Sequence, residues 1–167
     1  MNAINGTWPL ATPVMHSQPS SPDFRRLDSL PYYSTLEIDA HPTAPRDARK
    51  WLSALLLEWS LPDFSEAVEL VVSELVTNCV AEIGKVAWPS AQPPVRLWLR
   101  GGPSCLALQV WDPILADPVP RAAADDEESG RGLFLVGCCS DNWGFYYTEE
   151  FGGKITWAMI SRQLKER

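Results

Sequence analysis

The sequence predicts one mixed α/β domain behind an N-terminal tail, and three observations carry that reading. Two segments, 48–59 and 63–83, repeat apolar residues at helical spacing. Several short runs, the clearest at 95–99 and 106–110, alternate apolar and polar residues as strands do. Hydrophobic residues make up 46% and charged residues 21% of the 167-residue chain, a balance that supports a packed core in one domain of ordinary size.

The elements follow in order. Residues 1–33 read as a Pro/Ser-rich tail. Pro9, Pro13, Pro19, Pro22 and Pro31 interrupt it, no period of 2 or 3.6 appears, and it is expected to be disordered, with Trp8 and Phe24 as docking points. The domain is expected over 34–161, with 162–167 a short polar tail. Leu36 and Ile38 alternate with polar neighbours in a first strand. Thr43-Ala44-Pro45 opens a helix, with proline in the first turn. Its apolar stripe is Ala48, Trp51, Leu52, Leu55, Leu56 and Trp59. Asp63 and Glu66 have the spacing of a capping box for a second helix reaching about Ile83. Val95, Leu97 and Leu99, then Leu106, Leu108 and Val110, flank Gly101-Gly102-Pro103 as a hairpin ending at Asp112. Residues 113–129 form a long loop of the length lids have. A helix from Leu133 to about Cys139 and strands near 142–148 and 154–161 complete the chain, with Gly152-Gly153 between the last two.

Charge and cysteine usage narrow the function. The net charge of −7 gives no electrostatic footprint for nucleic acid or an anionic membrane. No apolar run nears the roughly 18 residues of a membrane span, and Arg25 is the first basic residue, unlike a secretory leader. Cys79, Cys105, Cys138 and Cys139 form no C-x-x-C pair, and His16 and His41 lie outside the apolar segments. A zinc site, a disulfide framework and a His-dependent nucleophile are therefore disfavoured. Buried free thiols in a reducing cytoplasm are expected instead.

Three features carry chemistry. Glu74 and Asn78 stand one turn apart on the second helix, on a stripe shared with apolar residues. On the rim of a nucleotide pocket, Asn78 could complete the oxygen shell of Mg²⁺ and Glu74 could serve as general base. At the edge of an exposed stripe, both would merely be solvated. Asp112 is turned inward by strand alternation, where its carboxylate would accept from the N6 amine of adenine; otherwise Asp112-Pro113 simply starts a turn. Ser129-Gly130-Arg131-Gly132-Leu133 offers backbone N–H groups at a helix start, with Arg131 as a phosphate contact. A flexible helix start explains the same glycines, and no Gly-Lys-Ser/Thr follows to make a P-loop.

Order and spacing tie these together. Ser73-Glu74-Leu75-Val76-Thr77-Asn78, Val110-Trp111-Asp112, Gly130-Arg131-Gly132-Leu133 and Gly153-Lys154-Ile155-Thr156-Trp157 together resemble the histidine-kinase-like ATPase family. The nearest branch is the small bacterial ATP-binding proteins related to anti-sigma-factor serine/threonine kinases. The resemblance implies an α/β two-layer sandwich with helices on one face of a mixed, largely antiparallel sheet, and ATP with Mg²⁺ as cofactors. It makes Glu74 the general base, Asn78 the Mg²⁺ ligand and Asp112 the adenine-binding residue. Residues 113–129 become the lid. Gly130, Arg131 and Gly132, leading into Leu133, become the phosphate-side segment, and Thr156 an adenine-side contact. The chain departs from the pattern in three places. Ala81 and Glu82 stand where many members carry a basic residue and His, which sets a negative charge expected on the phosphate side. No glycine separates Asp112 from Gly130. Ile155 stands where relatives place Thr, which puts Thr156 one step along the strand.

Two function classes result. One is a serine/threonine kinase acting on a small anti-sigma-antagonist type of protein. The other is a partner-switching binding module, holding a sigma factor or antagonist, with ATP structural or absent. A sensor histidine kinase is disfavoured, because no phosphoacceptor domain fits before residue 34. A homodimer is left open.

Overall fold

The structure, a computed structural model, describes residues 27–118, 132–150 and 152–162. Among them, five strands and three helices form two layers. The order is β1 (Tyr32–Ile38), α1 (Ala44–Glu58), α2 (Ser65–Gly84), β2 (Val95–Gly101), β3 (Cys105–Asp112), α3 (Gly132–Cys139), β4 (Asn142–Tyr147) and β5 (Lys154–Ser161). The sheet runs β1-β2-β3-β5-β4, and every pairing is antiparallel. It is the expected α/β sandwich, without a parallel pair among the described strands.

The periodicities explain the layers. On α1, Ala44, Ala48, Leu52 and Leu56 are buried. On α2, Val68, Val71, Val72, Leu75, Val76 and Cys79 are buried, a stripe wide enough to meet both α1 and the sheet. Leu97, Leu99, Leu106, Leu108, Ala158 and Ile160 face them from the sheet in one apolar core. Polar groups stitch the two helices at their edge. Arg49 donates to Ser73 Oγ at 2.8 Å, and Ser53 donates to Glu69 Oε1 at 2.8 Å.

The other face of the sheet is closed as well. Trp98, Trp111, Ile155, Trp157 and Tyr146 form a second cluster with Leu27. Gln109, also on this face, donates to the Tyr146 hydroxyl at 3.0 Å. The domain was expected to begin at residue 34. Instead β1 starts at Tyr32, Leu27 is fully buried, and Asp28 pairs with Arg100 at 3.4 Å. A single leucine among prolines has no period, so only the tryptophans opposite reveal its seat. The rest of the expected tail, with Trp8 and Phe24, and residues 163–167 lie outside the described residues.

Two further expectations change. The Asp63–Glu66 capping box does not form: Phe64 stands at the N-cap of α2 with no side-chain cap, after a 3-10 turn over Pro62–Phe64. Phe64 is 2% exposed, and seating it in the core sets where α2 begins. Asp63 pairs instead with Arg162, just beyond β5. Of the four cysteines, all free, Cys79 and Cys105 are buried as expected, but Cys138 is exposed on the outer side of α3.

Candidate functional site

Helix α2, the end of β3, the start of β5, residues 116–118 of the following loop and the first turn of α3 enclose a cavity of about 400 Å³. That is within the range of small-ligand sites. Strand alternation delivers its floor. Val110 and Asp112 on β3 sit directly opposite Thr156 and Lys154 on β5, and all four line the cavity. Ile155, between them, points to the opposite face and its tryptophans. Thr156 therefore faces the cavity in spite of the one-residue step, because it shares the phase of Lys154. The wall is α2, with Leu75, Asn78 and Glu82 at helical spacing.

The expected residues converge in part. Asn78, Asp112, Gly132, Leu133 and Thr156 line this one cavity. Glu74 is not among its lining residues. Its carboxylate abuts the start of α3, where Oε2 lies 2.6 Å from the place a Cβ on Gly132 would take. A side chain at position 132 would push the Glu74 carboxylate aside, with the Asn78 amide nitrogen 3.6 Å from the same point. Gly130 and Arg131 lie outside the described residues, as do residues 119–129 of the expected lid.

Asp112 does not stand free in the cavity. The Lys154 ammonium donates to Asp112 Oδ1 at 2.9 Å, lies 2.9 Å from Oδ2, and donates to the Ile114 carbonyl at 3.0 Å. The Ile114 N–H donates back to Oδ1 at 2.8 Å. Both side chains are nearly inaccessible, at 3% and 8% exposure. Burial pushes the Asp112 carboxyl above its ordinary value. The Lys154 charge and the two hydrogen bonds pull against that shift, and Glu82 adds to it. Glu82 thus lines the same cavity as Asp112 and Gly132 and acts on the Asp112 carboxyl. Eight residues along α2 separate Glu74 from Glu82, about 12 Å of helix. Lys85 pairs with Glu82 and also lines the cavity.

The loop leaving β3 is anchored before it passes out of the described residues. The Tyr147 hydroxyl on β4 lies 2.9 Å from the Leu115 carbonyl, within hydrogen-bond reach, and also bonds the Asp117 carboxylate. Desolvation, then Asp117, pushes Tyr147 up to about 12. On the cavity wall, Cys79 donates its thiol to the Trp111 carbonyl at 3.4 Å, and burial pushes that thiol well up. Gly153, at φ +74°, lets β5 approach so closely that a Cβ there would strike the Asp112 carbonyl and come within 2.7 Å of Pro113 Cα.

A family model described as a histidine kinase-like ATPase domain matches residues 38–159. The chain belongs to this family. No curated protein matches the chain closely enough to add to this. In this histidine kinase-like ATPase domain, the match runs from the end of β1 through β5 and takes in every element of the cavity wall. ATP is the ligand that membership leads one to expect in it. No helix among the described residues is long and apolar enough to cross a membrane. Lys154 and Lys85 are the charged cavity residues to which the sequence motifs assigned no role. Lys154 stood inside the quoted Gly-Lys-x-x-Trp segment, and Lys85 lies three residues after Glu82 on the same helix.

Proposed function

We propose that this chain binds Mg-ATP in the α2–sheet cavity and transfers the γ-phosphoryl group to a serine or threonine of a small protein antagonist of the anti-sigma type. The observation that carries the reading is the convergence of Asn78, Asp112, Gly132, Leu133 and Thr156, from four separate elements, on one cavity. Asp112 takes the adenine amine, with Thr156 beside it on the floor. Gly130, Arg131 and Gly132 offer the phosphates backbone N–H groups and a guanidinium. Glu74, beside Gly132, accepts the proton of the attacking hydroxyl.

The donor set fits Mg²⁺ held mainly by phosphates. Among the described residues no group of three His, Cys, Asp or Glu side chains could cage a metal, and the Asn78 amide lines the cavity as one hard oxygen donor. When bound, Mg²⁺ would neutralise phosphate charge. Lys85 and Lys154 line the cavity and Arg131 lies in the phosphate-side segment, so the chain brings cations of its own to balance Glu82, Asp112 and Asp117.

A specific observation favours a second reading, the partner-switching module. Glu74 lies outside the cavity lining and Asp112 is already paired, so the same fold could hold a sigma factor or antagonist without transfer. The deciding experiment measures labelled γ-phosphate transfer to a candidate antagonist beside ATP binding with and without Mg²⁺. Glu74→Gln should keep Mg-ATP affinity while transfer falls by roughly 10²–10⁴-fold. Asn78→Ala should weaken ATP binding chiefly when Mg²⁺ is present. Transfer undiminished in Glu74→Gln removes Glu74 from the base role. ATP binding indifferent to Mg²⁺ and Asn78, with no transfer by the unmodified chain, selects the module.

A further inference from the structure

We propose that the N-terminal segment, residues 1–26, docks across the outer face of the sheet and supplies there the layer that the helices supply on the inner face. The proposal is independent of the nucleotide reading. One row of outer-face residues runs Thr35, Trp98, Gln109, Trp157 across β1, β2, β3 and β5, each directly opposite the next. Trp111, Ile155 and Tyr146 form the row beside it. Trp98 and Trp157 are each 1% exposed, and Gln109 and Ile155 are fully buried. Yet all three helices pack against the alternate positions, among them Leu97, Leu99, Leu108 and Ala158. Neighbouring strands cover the flanks of a side chain that stands on a sheet, and its far end needs a layer above it. Among the described residues, Leu27 and Leu30 are the apolar side chains from outside the sheet that join this cluster. A tryptophan buries about 150–250 Å², so two leucines are too few to close a face carrying Trp98, Trp111 and Trp157.

The chain outside the described residues offers one fitting cover. Residues 119–131 begin after Pro118 and end before Gly132, and both of these line the cavity on the helix side of the sheet. Residues 163–167 are Gln-Leu-Lys-Glu-Arg, too charged to lie on tryptophan. Residues 1–26 lead directly into Leu27, which is fully buried in the tryptophan cluster. Fully extended, they reach about 85 Å. Crossing a five-stranded sheet takes about 19 Å.

Their chemistry matches the face. From Met1 to Pro22 there is no Asp, Glu, Lys or Arg, and Trp8, Leu10, Val14 and Met15 are available to pack. Pro9, Pro13, Pro19 and Pro22 remove N–H groups that a chain laid on an apolar face would otherwise strand. Gln109 Oε1 and Trp157 Nε1, opposite each other in the same row, are buried with no hydrogen-bond partner among the described residues. One accepts and the other donates. The main-chain N–H and C=O groups of an extended segment satisfy both kinds.

The test uses the full chain. The photoreactive residue p-benzoylphenylalanine, placed in turn at Trp8, Leu10, Val14 and Phe24, should cross-link within one chain to peptides that hold Trp98, Gln109 or Trp157. Cross-links confined to peptides of α1, α2 or α3, or none from any of the four positions, overturn the proposal. A product of twice the mass joined through the outer-face peptides means that a second copy covers the face, and overturns it as well. Hydroxyl-radical oxidation of the unmodified protein, read by peptide mass mapping, needs no variant. Trp8 and Met15 should be oxidised severalfold more slowly in the native chain than in a synthetic peptide of residues 1–26. Rates equal to those of the free peptide overturn the proposal.

Discussion

Replacing Lys154 with Met leaves the Asp112 carboxylate buried with the Ile114 N–H as its remaining hydrogen bond among the described residues, and replacing Asp112 with Asn leaves the buried ammonium with the Ile114 carbonyl and no counter-charge. The side chains are 3% and 8% exposed, so solvent screens the pair far less than it screens Lys50–Asp47 on the surface. Removing one member of a buried pair costs about 3–5 kcal/mol, a large share of the roughly 5–15 kcal/mol that holds a domain together. Removing both leaves no buried charge, so the double variant should cost about as much as one single variant. The coupling energy in the double-mutant cycle is then about 3–5 kcal/mol, the size of one single-variant cost. Urea denaturation at neutral pH, followed by far-ultraviolet circular dichroism, measures all four proteins. The pH dependence has a definite sign. Burial raises Asp112 above its unfolded value, and losing Lys154 removes the largest opposing influence. The folded Lys154→Met protein therefore binds a proton more readily than its unfolded chain, and its deficit should shrink as pH falls from neutral toward the ordinary carboxylate range. Single variants each costing under about 1 kcal/mol, or costs that simply add, would refute the picture of a desolvated pair.

Leu27→Ala should cost about 2–5 kcal/mol in urea denaturation, because Leu27 is fully buried against the tryptophans of the outer sheet face; a cost below about 0.5 kcal/mol would place it outside the folded unit. Iodoacetamide should modify exposed Cys138 first in the native protein and spare Cys79, whose thiol is buried and pushed up by desolvation; peptide mass mapping showing Cys79 modified at a similar rate would contradict that burial.

Local pattern determined much of this protein. Alternation from Val95 to Val110 and the helical stripe from Ala48 to Trp59 are set by the geometry of strands and helices themselves, so their elements appear where the pattern puts them. The same phase argument turned Asp112 inward and, once β5 was paired, Thr156 with it. The family match extends that legibility to the ATPase fold. Three features depended on partners far away in the chain, and no local pattern carries them. Lys154 meets Asp112 across 42 residues because the β3–β5 register puts them opposite each other, and that register is decided by which faces of both strands find a core. Leu27 belongs to the domain because the outer sheet face is apolar, not because of its neighbours in sequence. Asp63 left its expected cap for Arg162 once Phe64 was buried. For Asp63 a cap worth about 1 kcal/mol competed with the burial of Phe64, worth about 1.5–3 kcal/mol, and burial decided the outcome.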